Sequence, residues 1–129
     1  MPSIFTKIIN GEIPSYKIAE DDNFYAFLDI RPLHLGHTLV VPKQEIDYIF
    51  DIDDDLLAKM IVFAKKVALA IQKAVPCERI GMTVIGLEVP HAHIHLSPIN
   101  TIHDLNFSNT KQYSLEEMQD IAQKISGYL

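Results

Sequence analysis

The sequence predicts an α+β fold: a mostly antiparallel five-stranded sheet with a long helix packed on one face and an additional C-terminal helix. Three observations carry the prediction. Short β-prone runs bounded by Gly, Pro, Asp or Asn fall on both sides of a single long helical stretch, as the strands of a hairpin-rich sheet do. That stretch opens on Asp53-Asp54-Asp55 and repeats apolar residues at helical spacing as far as about Val75. A further helical run follows Ser114-Leu115-Glu116-Glu117, where a Ser and a Glu stand at the spacing of a capping box.

Taken in order, Ile4 to Ile9 is expected to form one or two helical turns, stopped by Asn10-Gly11 and by Pro14. "YKIAE" (Tyr16 to Glu20) and "NFYAFLDI" (Asn23 to Ile30), divided by the turn signal Asp21-Asp22-Asn23, read as a hairpin. His37 to Pro42, after Gly36, is a third strand. In the long helix Leu56, Met60, Phe63, Ala64, Val67 and Ile71 make one apolar stripe. Its acidic start and the lysines at 65, 66 and 73 suit the helix dipole. Arg79 to Gly86 and Val89 to Ile99 supply two more strands. The last helix is expected over about 114–126, ending at Gly127, with Leu115, Met118, Ile121, Ala122 and Ile125 facing inward. Strands, a helix, strands and a helix in that order give an α+β layout with helix covering one face of the sheet.

At 129 residues the chain is expected to be one domain, 1–129, burying roughly 65 to 70 % of its unfolded surface and holding a core without staples. No repeat, low-complexity tract or linker interrupts it. The single cysteine, Cys77, has no internal partner, which suits a reducing compartment. The opening "MPSIFTKIINGEIP" lacks a basic start followed by a long apolar run, and no segment approaches the ~20 apolar residues of a membrane span. The expectation is a soluble, cytoplasmic protein without a membrane partner. With 11 basic against 17 acidic side chains the formal charge is −6, which disfavours polymeric nucleic acid, whose binding depends on neutralising many phosphates. A single nucleotide is compatible with that charge.

The functional signal lies in "VPHAHIHLSPI", Val89 to Ile99, where three histidines fall at every second position. On a strand, successive side chains point to opposite faces. His91, His93, His95 and Ser97 therefore share one face, and Ala92, Ile94 and Leu96 pack under the long helix on the other. Geometry argues against one metal ion holding all three: i to i+4 on a strand spans ~13 Å, whereas Zn–N bonds are ~2.0–2.1 Å. Two of them with a ligand from elsewhere, Glu88 or His37, would suffice, but no second thiolate or other zinc spacing supports it. Phosphorus chemistry fits better. Neutral imidazole is nucleophilic, and clustered histidines resist becoming cations together. One ring can then attack while a neighbour gives a proton to the leaving group. Neither a P-loop, a G-x-G-x-x-G nor a G-x-S-x-G motif occurs, so any phosphate must be held by the histidines, Ser97 and nearby backbone.

These residues carry a resemblance. "HAHIHLS" resembles the His-φ-His-φ-His-φ-φ signature of the histidine triad nucleotide-binding family, and "IFTKIINGEIP", "AFLDIRPLHLGHTLVVPK" and the acidic start of the long helix match that family in order. The resemblance implies a nucleotidyl hydrolase or transferase acting on nucleoside phosphoramidates, acyl-nucleotides or dinucleoside polyphosphates, working without a metal or other cofactor, as a homodimer with a joint sheet. By position it implies His93 as the nucleophile that attacks the α-phosphorus, His95 on the phosphate or leaving group, His91 orienting the cluster, and His37 as a fourth histidine. Asp29 would accept hydrogen bonds from the ribose hydroxyls, since a carboxylate only accepts. Phe5, Ile8, Ile13 and Phe27 would line an apolar slot for a purine base, and Ser97 would contact the nucleotide.

The segment before the triad departs from the family pattern: "MTVIGLEVPH" is short, lacks the Asn often found there, and puts Glu88 three residues ahead of His91. Leaving-group specificity is expected to be decided in that segment. Two other functions use the same residues: a non-catalytic nucleotide-binding or adaptor module, and a His-ligated zinc hydrolase.

Overall fold

The computed structural model describes residues 2–129. Ser3 caps the first helix, α1 (Ile4–Ile9), by accepting from the Thr6 N–H, and α1 ends at Asn10. Strands β1 (Lys17–Glu20), β2 (Phe24–Leu28) and β3 (Thr38–Pro42) follow, then the long helix α2 (Asp54–Ala74), strands β4 (Arg79–Thr83) and β5 (Ile94–Ile99), and helix α3 (Leu115–Ser126). The five strands form one sheet in the order β1-β2-β3-β5-β4, every neighbouring pair antiparallel. Asp53 caps α2 through Leu56 N–H, and the expected box of Ser114 and Glu117 is present at α3. Short 3₁₀ turns at Ile49–Asp51 and Ile102–Leu105, not anticipated from the sequence, link the longer elements.

Strand alternation sorts the core into two layers. Phe24, Ala26, Leu28, Val40, Ala92, Ile94 and Leu96 point to one face and pack with Met60, Ala64, Val67 and Ile71 of α2 and with Met118, Ile121, Ala122 and Ile125 of α3. Leu56 and Phe63 sit at the margin of this core, partly buried. On the other face Tyr25, Phe27, Leu39 and Val41 meet Phe5 and Ile8 of α1. The long helix thus packs on one face, as expected, and the α1 segment adds cover to the middle of the other. Leu115 is corrected: it is 64 % exposed, since it opens α3 a turn before Met118 reaches the core. Among the described residues no helix is long and apolar enough to cross a membrane.

The strand expected over Val89–Ile99 begins only at Ile94, and the reason is local. β3 and β5 pair Thr38 with Leu96, Leu39 with His95 and Val40 with Ile94. Hydrogen-bonded pairs alternate along an antiparallel ladder, and two residues beyond Val40 and Ile94 the register would pair Pro42 with Ala92, but Pro42 has no N–H to donate. The Ala92 N–H instead donates to the Ile46 carbonyl at 2.7 Å, and the His91 N–H to the Val89 carbonyl at 2.8 Å. Residues 91–93 leave the ladder but keep the alternation of faces, with Ala92 in the core under α2 and His91 and His93 against Phe5.

Gly36 delivers the chain into β3. Its φ of +101° is a conformation L side chains rarely adopt, and an added Cβ would lie 3.0 Å from Val75 Cγ2 at the end of α2. Replacing Gly36 by Ala is expected to cost about 1–3 kcal/mol of stability and to disturb the adjoining His37. Urea unfolding of the variant, read beside a Gly11→Ala protein whose added Cβ meets nothing within 4 Å, separates crowding against α2 from backbone strain, because φ is positive at both positions.

Candidate active site

Four histidines gather on the α1 side of the sheet. His37, His91, His93 and His95 are exposed by only 1, 0, 7 and 9 %, so the histidine face is an enclosed site and not a wetted surface. His93 and His95 stand ring to ring at 4.9 Å, and His37 and His95 at 5.2 Å.

Hydrogen bonds to groups of known sense fix the tautomer of every ring. The His91 carbonyl can only accept, so His93 Nδ1, 2.8 Å away, carries the proton and His93 Nε2 keeps its lone pair. The Leu33 N–H donates to His37 Nδ1 at 3.0 Å. His37 Nε2 therefore bears hydrogen and donates to His95 Nδ1 at 3.0 Å, which leaves His95 as the Nε2–H tautomer. His91 Nε2–H donates to the Pro42 carbonyl at 2.8 Å, and its Nδ1 faces Ser3 Oγ at 2.7 Å. The cluster thus offers a lone pair on His93 beside an N–H on His95.

Burial favours the neutral form of His37, His91 and His95. Loss of water around His37 lowers its pKa to about 4, with the His93 charge acting in the same direction. Loss of water, then the charges of His93 and His37, lowers His95 to about 3. His91 is lowered by burial, against its bond to Pro42 and the nearby Glu45, both of which favour the cation. Asp29 is raised by burial, opposed by the Arg31 N–H, while the charge of Glu88 adds to the rise.

Asp29 stands beside the cluster. One of its oxygens accepts from the Arg31 N–H at 2.9 Å, and the other lies 3.8 Å from His37 Nε2. Asp29, His37 and His95 each offer one ligand atom, all within 4.8 Å of one another. A divalent cation would find its ligands there, on a set that contains only one member of the triad.

Of the residues expected at the base slot, Phe5, Ile8 and Phe27 are buried together and Ile13 packs at their margin. Phe5 meets His93 edge-on with ring centres 5.0 Å apart and Phe27 at 5.5 Å. Ser97 is buried, but its hydroxyl donates to the Pro98 carbonyl at 3.5 Å, not to a histidine. Other neighbours had no sequence signal. Phe107 covers His95 at 4.9 Å and His37 at 6.3 Å, held there as the Lys111 N–H donates to the Pro32 carbonyl at 2.8 Å and Lys111 Nζ to the Leu33 carbonyl at 2.6 Å. His93 also borders a cavity of about 330 Å³ lined by Tyr48, Phe50, Val84 and Ile85.

A family model described as the HIT domain matches residues 10–102. The chain belongs to the HIT family. It is 35 % identical to a HIT-like protein of Borreliella burgdorferi over 95 % of both chains. It is 40 % identical to the adenosine 5′-monophosphoramidase HNT1 of Saccharomyces cerevisiae over 74 % of this chain and 61 % of that one. Among solved structures, a Hit-like protein from Bartonella henselae superposes with a TM-score of 0.85 at 33 % identity, covering 98 % of this chain and 96 % of that one. The HIT family membership agrees with the resemblance carried by the triad, and the five-stranded α+β architecture agrees with the fold expected from it.

The depressed histidines fix the acid response. Unfolded, His37 and His95 take up protons near pH 6.5; folded, they do so only near 4 and 3. Their contribution to stability is intact above pH 6.5 and is lost as pH falls toward 4 and then 3, by about 1.4 kcal/mol per pH unit for each ring. Asp29, shifted upward, acts in the opposite sense just above its ordinary range. Urea midpoints from pH 7.5 to 4.5 are expected to fall steeply, and less steeply in a His37→Gln, His95→Gln double variant.

Proposed function

We propose that the protein hydrolyses nucleoside 5′-phosphoramidates, purine nucleotides preferred, through a nucleotidyl–His93 intermediate. The observation that carries the reading is the hydrogen bond from His93 Nδ1 to the His91 carbonyl at 2.8 Å. It holds the nucleophile in the tautomer that presents a lone pair at Nε2 and ties down the opposite nitrogen, which shares the positive charge once Nε2 is bonded to phosphorus. The HNT1 proteins of S. cerevisiae and Candida albicans, named adenosine 5′-monophosphoramidases and 40 and 36 % identical, support the substrate class.

His93 Nε2 forms a bond to the α-phosphorus while the P–N bond to the protonated leaving nitrogen breaks and a neutral amine departs with the electron pair. His95 Nε2–H, kept uncharged by burial, donates to a non-bridging oxygen as charge gathers there. Water then attacks the same phosphorus, the P–Nε2 bond breaks, and the proton lost by the water passes to the amine. The products are a nucleoside monophosphate, an ammonium ion and His93 in its starting form. Phe5, Phe27, Ile8 and Ile13 take the base and Asp29 the ribose hydroxyls, while Ser97 supports the phosphate end of the strand. The cavity beside Tyr48 and Phe50 receives the leaving group.

Quenching the protein during turnover of adenosine 5′-phosphoramidate is expected to leave an adenylyl group on His93 by mass spectrometry, and His93→Ala to lower kcat by at least about 10³-fold. Nucleotide binding with no adduct and no turnover would reduce the protein to a binding module.

The same proposal includes a homodimer. β4 is an edge strand, with Met82 47 % exposed and Val84, just after its end, 39 % exposed, and one side of its backbone is unpaired, a surface that a second β4 would satisfy. Sedimentation velocity is expected to give a dimer, and Met82→Lys with Val84→Lys a monomer. A monomeric parent chain would refute this part.

A further inference from the structure

Helix α1 is fastened to the triad by hydrogen bonds that the chemistry above does not use. The Ser3 N–H donates to Glu45 Oε1 at 2.7 Å, and the Thr6 hydroxyl donates to the same oxygen at 2.6 Å. Ser3 Oγ accepts from the Thr6 N–H at 3.1 Å and reaches His91 Nδ1 at 2.7 Å. Because His91 Nε2–H is committed to the Pro42 carbonyl, Nδ1 accepts and the Ser3 hydroxyl donates. His91 is thereby gripped at both ring nitrogens, and its own carbonyl orients His93.

The same fastening fixes a wall of the base slot. Phe5 lies between Ser3 and Thr6 in the chain and packs edge-on against both His91, at 5.8 Å, and His93, at 5.0 Å. α1 has six residues, too few to be stable through its own hydrogen bonds, so its place depends on what it is tied to. Glu45 is a surface residue in the loop after β3, and a carboxylate receiving two donors on one oxygen makes stronger bonds than a neutral acceptor. Ser3 and Thr6 precede the part of the chain matched by the family model.

We infer that Glu45 is a positioning residue for the site: by binding Ser3 and Thr6 it locks α1 against His91, and so sets both Phe5 in the base slot and the direction of the His93 ring. The kinetic side of this inference rests on the proposed phosphoramidate chemistry. The structural side does not.

Three variants and two readouts test it. Glu45→Ala removes the acceptor, Glu45→Gln keeps an oxygen that can accept both bonds, and Thr6→Val removes one donor with little change of shape. With adenosine 5′-phosphoramidate, Glu45→Ala is expected to raise KM and to lower kcat by roughly 10- to 100-fold, as a small misplacement of reacting groups does. Glu45→Gln should stay within about threefold of the parent and Thr6→Val fall between, a graded rescue that loss of stability alone would not produce. The second readout needs no turnover. In long-range ¹H–¹⁵N spectra the parent His91 and His93 rings should each show one tautomer, Nε2–H and Nδ1–H, and in Glu45→Ala the His93 pattern should average between the two.

Unchanged ring signals and unchanged kinetics in Glu45→Ala would overturn the inference, as would Glu45→Gln being as impaired as Glu45→Ala. If Glu45→Ala fails to fold, Thr6→Val and Glu45→Gln decide it by the same spectra. If the parent turns over no phosphoramidate, the function proposed above falls, and the ring signals still decide whether Glu45 positions the histidines.

Discussion

The site depends on how β3 ends. Pro42 has no N–H, so the ladder between β3 and β5 stops at Val40 and Ile94, but its carbonyl stays free to accept from His91 Nε2–H at 2.8 Å. That exchange of a backbone bond for a side-chain bond lets residues 91–93 leave the sheet without orphaning a polar group. It also turns the His91 carbonyl toward His93 Nδ1, where a continuing strand would have aimed it at a neighbour. The orientation of the central histidine is therefore a consequence of where a proline stands in the adjacent strand.

Burial supplies the second half. A histidine cluster in water would be partly cationic near neutral pH, and each cation would remove a lone pair. Here the core on one face of the sheet and α1 and Phe107 on the other exclude water, so His37 and His95 titrate near 4 and 3. Neutral rings must then choose which nitrogen holds the proton, and backbone groups make the choice: the Leu33 N–H sets His37, His37 sets His95, and the His91 carbonyl sets His93. Each bond in such a chain polarises the next. The cost is acid sensitivity, since the folded state forgoes protons that the unfolded chain binds.

The elements were legible because they carry local signals. Asp53 before α2 and Ser114 with Glu117 before α3 announce helices through capping chemistry, and the short apolar run Phe24–Leu28 and the alternation in Ile94–Leu96 announce buried strands. What depends on tertiary contact was not legible. Nothing in the spacing of Leu115 reveals that the sheet does not reach it, and nothing around Pro42 reveals that its absent N–H falls opposite Ala92, which requires the register between β3 and β5. The histidine set and Asp29 were readable as a motif and do come together, whereas Ser97 turns its hydroxyl to the Pro98 carbonyl. Phe107, Lys111, Glu45 and Thr6 carry no motif, and only folding brings Phe107 to His37, Lys111 to Leu33, 78 positions away, and Glu45 to Ser3 and Thr6, 42 and 39 positions away.

The charges around the cluster bear on what such a site can hold and release. Its imidazoles present N–H donors, and Asp29 stands beside them between the charge of Arg31, which favours its ionisation, and that of Glu88, which opposes it. N–H donors in a dry pocket offset part of the large cost of desolvating a phosphorus group that bears a single negative charge. A second negative charge raises that cost further. On the proposed chemistry the substrate is of the first kind and the nucleoside monophosphate product, once its second proton is lost, of the second. On that chemistry, a site that holds phosphorus through N–H donors with carboxylates beside them would bind the doubly charged product less well than the singly charged substrate, so the same groups would favour release of the product as well as the attack on phosphorus.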